Sequence, residues 1–360
     1  MDPLSLSYRP PTPADPPNIA LVGCGQITEH HCEAYRDAGW DVVALCDLEV
    51  ERAEDRRDEF FPEADVYADA DEVFAREDVG VVDLATHPGP RAGLMADAIA
   101  AGKHVLSQKP FVLDLDAGED LVEQADEAGV KLAVNQNGRW AANWSYLRAA
   151  VADGFVGDVL GVHLDAHWNH DFIAGLPFDD IRHAVLYDYA IHHFDLVACL
   201  LDDPERVHAS VARSPTQQAV PPLLGQATVE YEHAQASLVF DGNTREGQGH
   251  RTYVAGTEGT VESQGPTLDD QSVTVHRDDR SASPGLEGQW FPTGFRGTMG
   301  ELLCAIEEDR EPENGARDNL RSLELCYAAV ASAEDSEPKV PGEVRELRKG
   351  DPAALAPAGE

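Results

Sequence analysis

Asp188 and His192 stand four residues apart in Asp188-Tyr-Ala-Ile-His192-His193-Phe-Asp195. On a helix, side chains at that spacing share one face, whereas His193 and Asp195 turn away from it by roughly 100° or more. Val185, Leu186, Ile191, Phe194, Leu196 and Val197 surround the pair with apolar neighbours, which predicts a largely buried helix over 184–201. A carboxylate and an imidazole are costly there unless paired with each other or with a ligand. One reading is a satisfied Asp–His pair in the core. The other is a general base whose imidazole is oriented by a carboxylate. A second chemical candidate is Lys109 in Gln108-Lys109-Pro110, where the proline holds the lysine extended at the end of a strand. The chain is poor in lysine, with only Lys103, Lys131, Lys339 and Lys349 besides, so a merely solvating role is a less ready explanation.

A third stretch provides the means of binding a dinucleotide. Asn18-Ile-Ala-Leu-Val reads as a strand, Gly23-Cys-Gly25-Gln26-Ile27 as a turn into a helix, and Val42-Val-Ala-Leu-Cys as a second strand ending at Asp47. Glycines let the backbone approach a pyrophosphate, whose charge then faces free N–H groups at the helix start. An acidic residue about 20 positions on accepts hydrogen bonds from a ribose. Thr28 departs from the pattern, standing where a third small residue is usual. His30-His31-Cys32 are consecutive and point to different helix faces, so no metal site is expected.

These residues require a scaffold that collects strand ends. Strand-like runs alternate with helix-like ones from Asn18 to Val134, predicting a parallel, doubly wound sheet. Ligands on such sheets bind beyond the carboxyl ends of the strands, where Asp47, Thr86 and Lys109 fall. After Asn135 the strand runs cluster, predicting an α+β domain on an open, mainly antiparallel sheet. The expected division is a leader over 1–17, a Rossmann domain over 18–135, a substrate-binding and oligomerisation domain over 136–345 and a tail over 346–360. An open sheet leaves a face needing cover, so a homodimer or homotetramer is expected.

Lys and Arg number 27 against 66 Asp and Glu, a formal net charge of −39. The acids are dispersed over predicted helix faces, not gathered in a tail. Such a surface repels nucleic acid and anionic membranes, and it resembles proteins adapted to a salt-rich cytoplasm. No apolar run approaches the ~18 residues of a membrane helix. The start of the chain lacks a basic and then apolar leader. Six scattered cysteines without CxxC pairs read as reduced core thiols of a cytoplasmic protein.

Taken together, the chain resembles the Gfo/Idh/MocA family, named for glucose-fructose oxidoreductase and inositol dehydrogenase. The resemblance rests on the Gly23–Gly25 turn with His31 following, Asp47, and Ala98-Ile-Ala-Ala-Gly-Lys-His-Val-Leu-Ser-Gln-Lys-Pro110. Asn137-Gly-Arg139-Trp140, Gly154-Phe-Val-Gly157, the Asp188–Asp195 segment and Phe295-Arg-Gly-Thr-Met-Gly-Glu-Leu complete it. It implies NAD or NADP on the Rossmann domain, bound through Gly23, Gly25, Gln26, Ile27, Asp47, Thr86 and Lys109. Asp47 favours NAD, because a carboxylate repels a 2′-phosphate. It also implies a catalytic trio at Lys109, Asp188 and His192, acting on a secondary alcohol of a sugar or polyol. Gln108 stands where Glu is usual and Arg91 where His is frequent. Arg139, Trp140, Trp168, His170 and Arg182 are candidate substrate contacts, because they are polar or aromatic and fall where the two domains are expected to meet. The rivals are an NAD-dependent glycoside hydrolase of the same fold and a dinucleotide-binding regulator without turnover.

Overall fold

The computed structural model describes residues 6–347. It contains two compact units, one of residues 9–141 with 290–320, the other of 142–289 with 6–8 and 321–347.

In the first unit β1 (Ile19–Val22), β2 (Val42–Cys46), β3 (Asp65–Tyr67), β4 (Val81–Leu84), β5 (His104–Gln108) and β6 (Leu132–Asn135) form one sheet in the order β3-β2-β1-β4-β5-β6. Every neighbouring pair is parallel. β1, β4 and β6 are buried at every position, as a sheet covered on both faces requires. The connecting helices are α1 (Thr28–Ala38), α2 (Val50–Phe60), α3 (Ala70–Phe74), α4 (Pro88–Ala100) and α5 (Leu115–Ala128). α1 and α5 stop at Gly39 and Gly129, both left-handed, as glycine stop signals predict. α4 starts at Pro88, which occupies its first turn, where a missing N–H is harmless.

The expected domain division needs two corrections. α8 (Thr293–Glu307) does not belong with the later sheet: Phe295, Met299, Leu302 and Leu303 share one buried cluster with Ile19, Leu21, Tyr35 and Trp40. Part of the leader is also built in. The N–H groups of Ala14 and Asp15 donate to the Glu307 carboxylate at 3.0 and 2.5 Å. Residues 1–5 of the leader and 348–360 of the tail lie outside the described residues.

The second unit is a sheet of β7 (Val159–His167), β8 (Arg206–Ala212), β9 (Leu224–Glu230), β10 (Gln235–Asp241), β11 (Gly249–Gly256), β12 (Thr260–Gly265), β13 (Ser272–Arg277) and the short β14 (Arg280–Ala282). Their order is β14-β13-β12-β11-β7-β10-β9-β8, antiparallel throughout except the parallel pair β7 and β10. β14 falls in a stretch expected to be loop. β9 alternates buried Gly225, Ala227 and Val229 with exposed Gln226, Thr228 and Glu230, so one sheet face is apolar and the other polar. α6 (Ala142–Ala152), α7 (Ile191–Leu200) and most of α9 (Ala316–Asp335) belong to this unit.

The predicted helix over 184–201 is not uniform. Val185–Tyr189 is a π-helical turn, closed by Ala190 N–H donating to the Val185 carbonyl at 2.9 Å, and α7 starts after it. Such wide turns are frequent at functional sites.

Candidate active site

The glycine turn is fitted to the sheet. Gly23 has φ +95°, and a Cβ there would meet the Ala85 carbonyl at 2.9 Å, so no other residue fits without displacing backbone. Thr28 is now explained. Its side chain is fully buried and its hydroxyl donates to the Gly25 carbonyl at 2.6 Å, tightening the entry to α1. The N–H groups of Gly25, Gln26 and Ile27 meet no acceptor among the described residues, and they stand at the start of a full-length helix. Asp47 follows β2 and binds backbone with both oxygens, accepting from Cys24 N–H at 2.7 Å and Glu49 N–H at 2.9 Å. Each oxygen retains a lone pair for a ribose hydroxyl. Thr86, just beyond β4, has a buried hydroxyl oxygen with no protein partner. Unclaimed N–H groups, a half-exposed carboxylate and an orphaned hydroxyl fit a dinucleotide.

Lys109 follows β5 and is half-buried, and its peptide bond to Pro110 is cis. Its main chain is held from two sides. The Gln108 side-chain carbonyl accepts from Lys109 N–H at 2.7 Å. Arg91, 1% exposed, donates to the carbonyls of Gln108, Pro110 (2.6 Å) and Thr86 (3.0 and 2.5 Å). A single buried guanidinium thus ties together the ends of β4 and β5. Behind Gln108 lies a buried polar cluster. The Gln108 side-chain amide is 3.1 Å from His31 Nε2, and the Asn135 amide is 3.2 Å from the same nitrogen. His31 Nδ1 lies 2.6 Å from Asp83 Oδ2, which also accepts from the Tyr35 hydroxyl at 2.6 Å. Sequence reasoning left Asp83 out, although a carboxylate in the middle of the buried run Val81-Val-Asp-Leu84 is itself a signal.

In the second unit Asp188 lies in the π turn and His192 in the first turn of α7; both are half-buried, as is Tyr189, while Tyr187, Ile191 and His193 are buried. The turn is fixed by aromatic packing. Tyr189 stacks on Trp168 with ring centroids 3.7 Å apart, and the Trp168 indole N–H donates to His170 Nδ1 at 3.0 Å. His193 points the other way, into an apolar setting beside Trp144 and Phe240. Burial, and then His250, push its imidazole down to about 3, so it is neutral near pH 7. Asp195 is buried and accepts from the Ser322 hydroxyl at 2.8 Å, a structural tie between α7 and α9.

Trp168 and His170 therefore pack against the element that carries Asp188 and His192. The other three suggested substrate residues have structural duties. Arg139, 3% exposed, pairs with Asp318 at 2.8 Å and donates to the Glu313 carbonyl. Trp140 fills the space over Gly297, where any Cβ would collide with it. Arg182 pairs with the buried Glu334 at 2.6 Å. The described residues hold no cluster of three or more metal-ligating side chains. All six cysteines are free; burial pushes Cys46 up to about 11 and Cys32 to about 12.

Comparison with known proteins accounts for this arrangement. Residues 17–136 match the model of the oxidoreductase family with NAD-binding Rossmann fold, and residues 144–262 match the GFO/IDH/MocA C-terminal domain. The chain belongs to the Gfo/Idh/MocA family. It is an NAD(P)-dependent oxidoreductase of the dehydrogenase type, acting on CH–OH groups. It is 27% identical to D-apiose dehydrogenase of Paraburkholderia graminis over 337 residues, covering 88% of this chain and 87% of that one. It is 25% identical to inositol 2-dehydrogenase of Rhizobium meliloti over 332 residues, covering 87% and 96%. An oxidoreductase from Agrobacterium radiobacter, solved with NAD+, L-tartaric acid and magnesium, shares the fold. Its TM-score is 0.82 at 22% identity, over 91% of this chain and 99% of that one.

Proposed function

We propose that this dehydrogenase oxidises a secondary alcohol of a sugar, a polyol or a related small molecule, with Lys109, Asp188 and His192 as its catalytic residues. The observation that carries the reading is the two-sided hold on Lys109. Its main chain is fixed by Gln108 and Arg91, while its side chain keeps partial access to solvent. A lysine needs such fixing if its ammonium is to meet one substrate oxygen. The half-buried Asp188 and His192, and relatives named for apiose and inositol, support the same reading.

In this reading His192 removes the hydroxyl proton as general base, and Asp188 orients the imidazole and stabilises its charged form. Lys109 donates to the reacting oxygen and stabilises its developing alkoxide character. The nicotinamide, when bound, supplies the acceptor for the hydride that leaves the alcohol carbon. Gly25, Gln26 and Ile27 bind the pyrophosphate through their N–H groups, Thr86 contributes its hydroxyl, and Asp47 binds the adenosine ribose. Trp168 and His170 border the substrate.

NAD is preferred to NADP. Asp47 repels a 2′-phosphate, and the nearby Arg52 is paired with Glu49 at 2.8 Å instead of being available to neutralise one. Free thiols throughout support a reducing compartment, the cytoplasm. No helix among the described residues is long and apolar enough to cross a membrane. The second sheet is open, with the short β14 at one edge, which supports association into a homodimer or homotetramer, and the net charge of −39 supports a halophilic setting.

A panel of sugars, polyols and sugar acids with NAD and NADP in molar potassium chloride, read at the NADH absorbance, tests the reading. At least one secondary alcohol should give net NADH. Release of free sugar from a glycoside without net NADH would replace it with the hydrolase.

A further inference from the structure

The cluster behind Lys109 contains a buried carboxylate, a buried imidazole and two amides, none of which touches the substrate in the reading above. Their hydrogen bonds run in one direction. The Gln108 Oε1 is committed to Lys109 N–H at 2.7 Å, so its NH2 must face His31 Nε2. The Asn135 amide takes the same orientation when the Thr298 hydroxyl, which also lies 3.0 Å from the Phe295 carbonyl, donates to its Oδ1 at 2.8 Å. Two donors converge on Nε2, so that nitrogen must be the unprotonated one. The ring proton is on Nδ1 and donates to Asp83 at 2.6 Å. His31 and Asp83 are both 0% exposed, so water offers no alternative partner.

We propose that Asp83, His31 and Gln108 form a hydrogen-bonded chain that positions the main chain of Lys109, and that Gln108, by presenting its NH2 to Nε2, keeps the ring proton of His31 on Nδ1. This rests on the reading of Lys109 as a residue that meets the substrate. His31 and Gln108 are positioning residues: they act through the Lys109 backbone and not on the reacting atoms. Bonds aligned head to tail from Asp83 to Lys109 N–H polarise one another, which stiffens the whole chain.

Charged, titratable and neutral groups face His31 from the elements packed against it. From α1 it meets the Tyr35 hydroxyl and adjoins the Cys32 thiol, both driven toward their neutral forms by burial. β4 contributes Asp83. β5 contributes Gln108, beyond which stand Lys109 and the Arg91 guanidinium on the Gln108 carbonyl. β6 and α8 contribute only Asn135 and the Phe295 ring, whose centroid is 4.5 Å from that of His31. An acid at 108 would change this balance. Gln108→Glu keeps an acceptor for Lys109 N–H but sets a carboxylate oxygen against the lone pair of Nε2. The site is then stable only with one added proton, shared between the introduced carboxyl group and the imidazole.

Two measurements on the full chain with NAD test the proposal. Nitrogen-15 NMR of labelled histidine at pH 8 should show His31 with its ring proton on Nδ1 and a bare Nε2. A Nε2–H tautomer or an imidazolium would overturn the proposal, and this measurement needs neither turnover nor a variant. In the second, Gln108→Glu should add an alkaline limb to the kcat profile that the native protein lacks, with kcat falling about tenfold per pH unit beyond it. Gln108→Leu should lower kcat by ~10²-fold at every pH through a misplaced Lys109. In both variants the dissociation constant for NAD, measured by calorimetry, should stay within about threefold, since the N–H cradle of the glycine turn is untouched. An unchanged pH profile in Gln108→Glu, or equal losses of NAD affinity and kcat in both variants, would contradict the positioning role. Absence of turnover with any alcohol would remove the role of Lys109 but leave the tautomer result to decide the chain itself.

Discussion

The end of β5 and the turn before α7 carry the side chains proposed for the chemistry, and they are held by opposite means. Lys109 is fixed by hydrogen bonds: Gln108 on its N–H, Arg91 on the carbonyls around it, and a buried Asp–His pair behind. Asp188 and His192 are fixed by rings: Tyr189 on Trp168, His193 beside Trp144 and Phe240. Hydrogen bonds are directional and lose their value within a few tenths of an ångström. Packing is less directional but is worth several kcal/mol per aromatic ring. Precision at Lys109 and rigidity at the π turn thus have separate physical sources, and damage to each should leave a different trace.

The largest effect is expected where chemistry is removed and neither support is touched. His192→Ala should lower kcat by ~10²–10⁴-fold, with the NAD dissociation constant and Tm nearly unchanged. Steady-state kinetics and calorimetry on one preparation check this. Next, Trp168→Ala should lower stability by about 3–5 kcal/mol, because it takes the partner from Tyr189 and leaves a cavity. Denaturant unfolding measures it, and a loss below about 1 kcal/mol would mean that stacking is not what holds the turn.

Two packed histidines of the second unit give a pH signature. Folding holds His193 at about 3 and His250 at about 4, in each case through burial first. The unfolded chain protonates both below roughly 6.5. Between that pH and the folded values the unfolded state binds more protons, so stability falls as pH drops through this window. Thermal unfolding between pH 7 and 5 should show the fall, and His193→Phe should flatten it. The smallest effect is expected at the ribose end. Asp47→Asn should weaken NAD binding by about 1–2 kcal/mol, since a charged acceptor becomes a neutral one, and should narrow the preference over NADP.

Much of the first unit was legible because its signals are local. Val42–Cys46 and Leu115–Ala128 have the expected bounds, and Gly39 ends α1 as foreseen. Lys109 was readable from its proline and Asp47 from its distance to the glycine turn. The destination of α8 was not, because an amphipathic helix declares an apolar face but not which sheet covers it. The π turn escaped for a related reason: apolar spacing over 184–201 fits a uniform helix, and one widened turn leaves no local mark. Thr28 looked like a flaw by residue type, and by geometry its hydroxyl ties the start of α1 back to the Gly25 carbonyl. Arg139 and Arg182 looked available because sequence shows a charge but not its partner, and Asp318 and Glu334 lie far along the chain.

The central claim is that Lys109 acts on the reacting oxygen of an alcohol while the dinucleotide is bound elsewhere in the same unit. Lys109→Ala, assayed with the best alcohol of the substrate panel and with NAD binding followed by calorimetry, tests it most directly. The account predicts a loss of kcat of at least ~10²-fold with the NAD dissociation constant within about threefold of the native value. Turnover retained within a few-fold, or a loss of NAD binding as large as the loss of turnover, would contradict it.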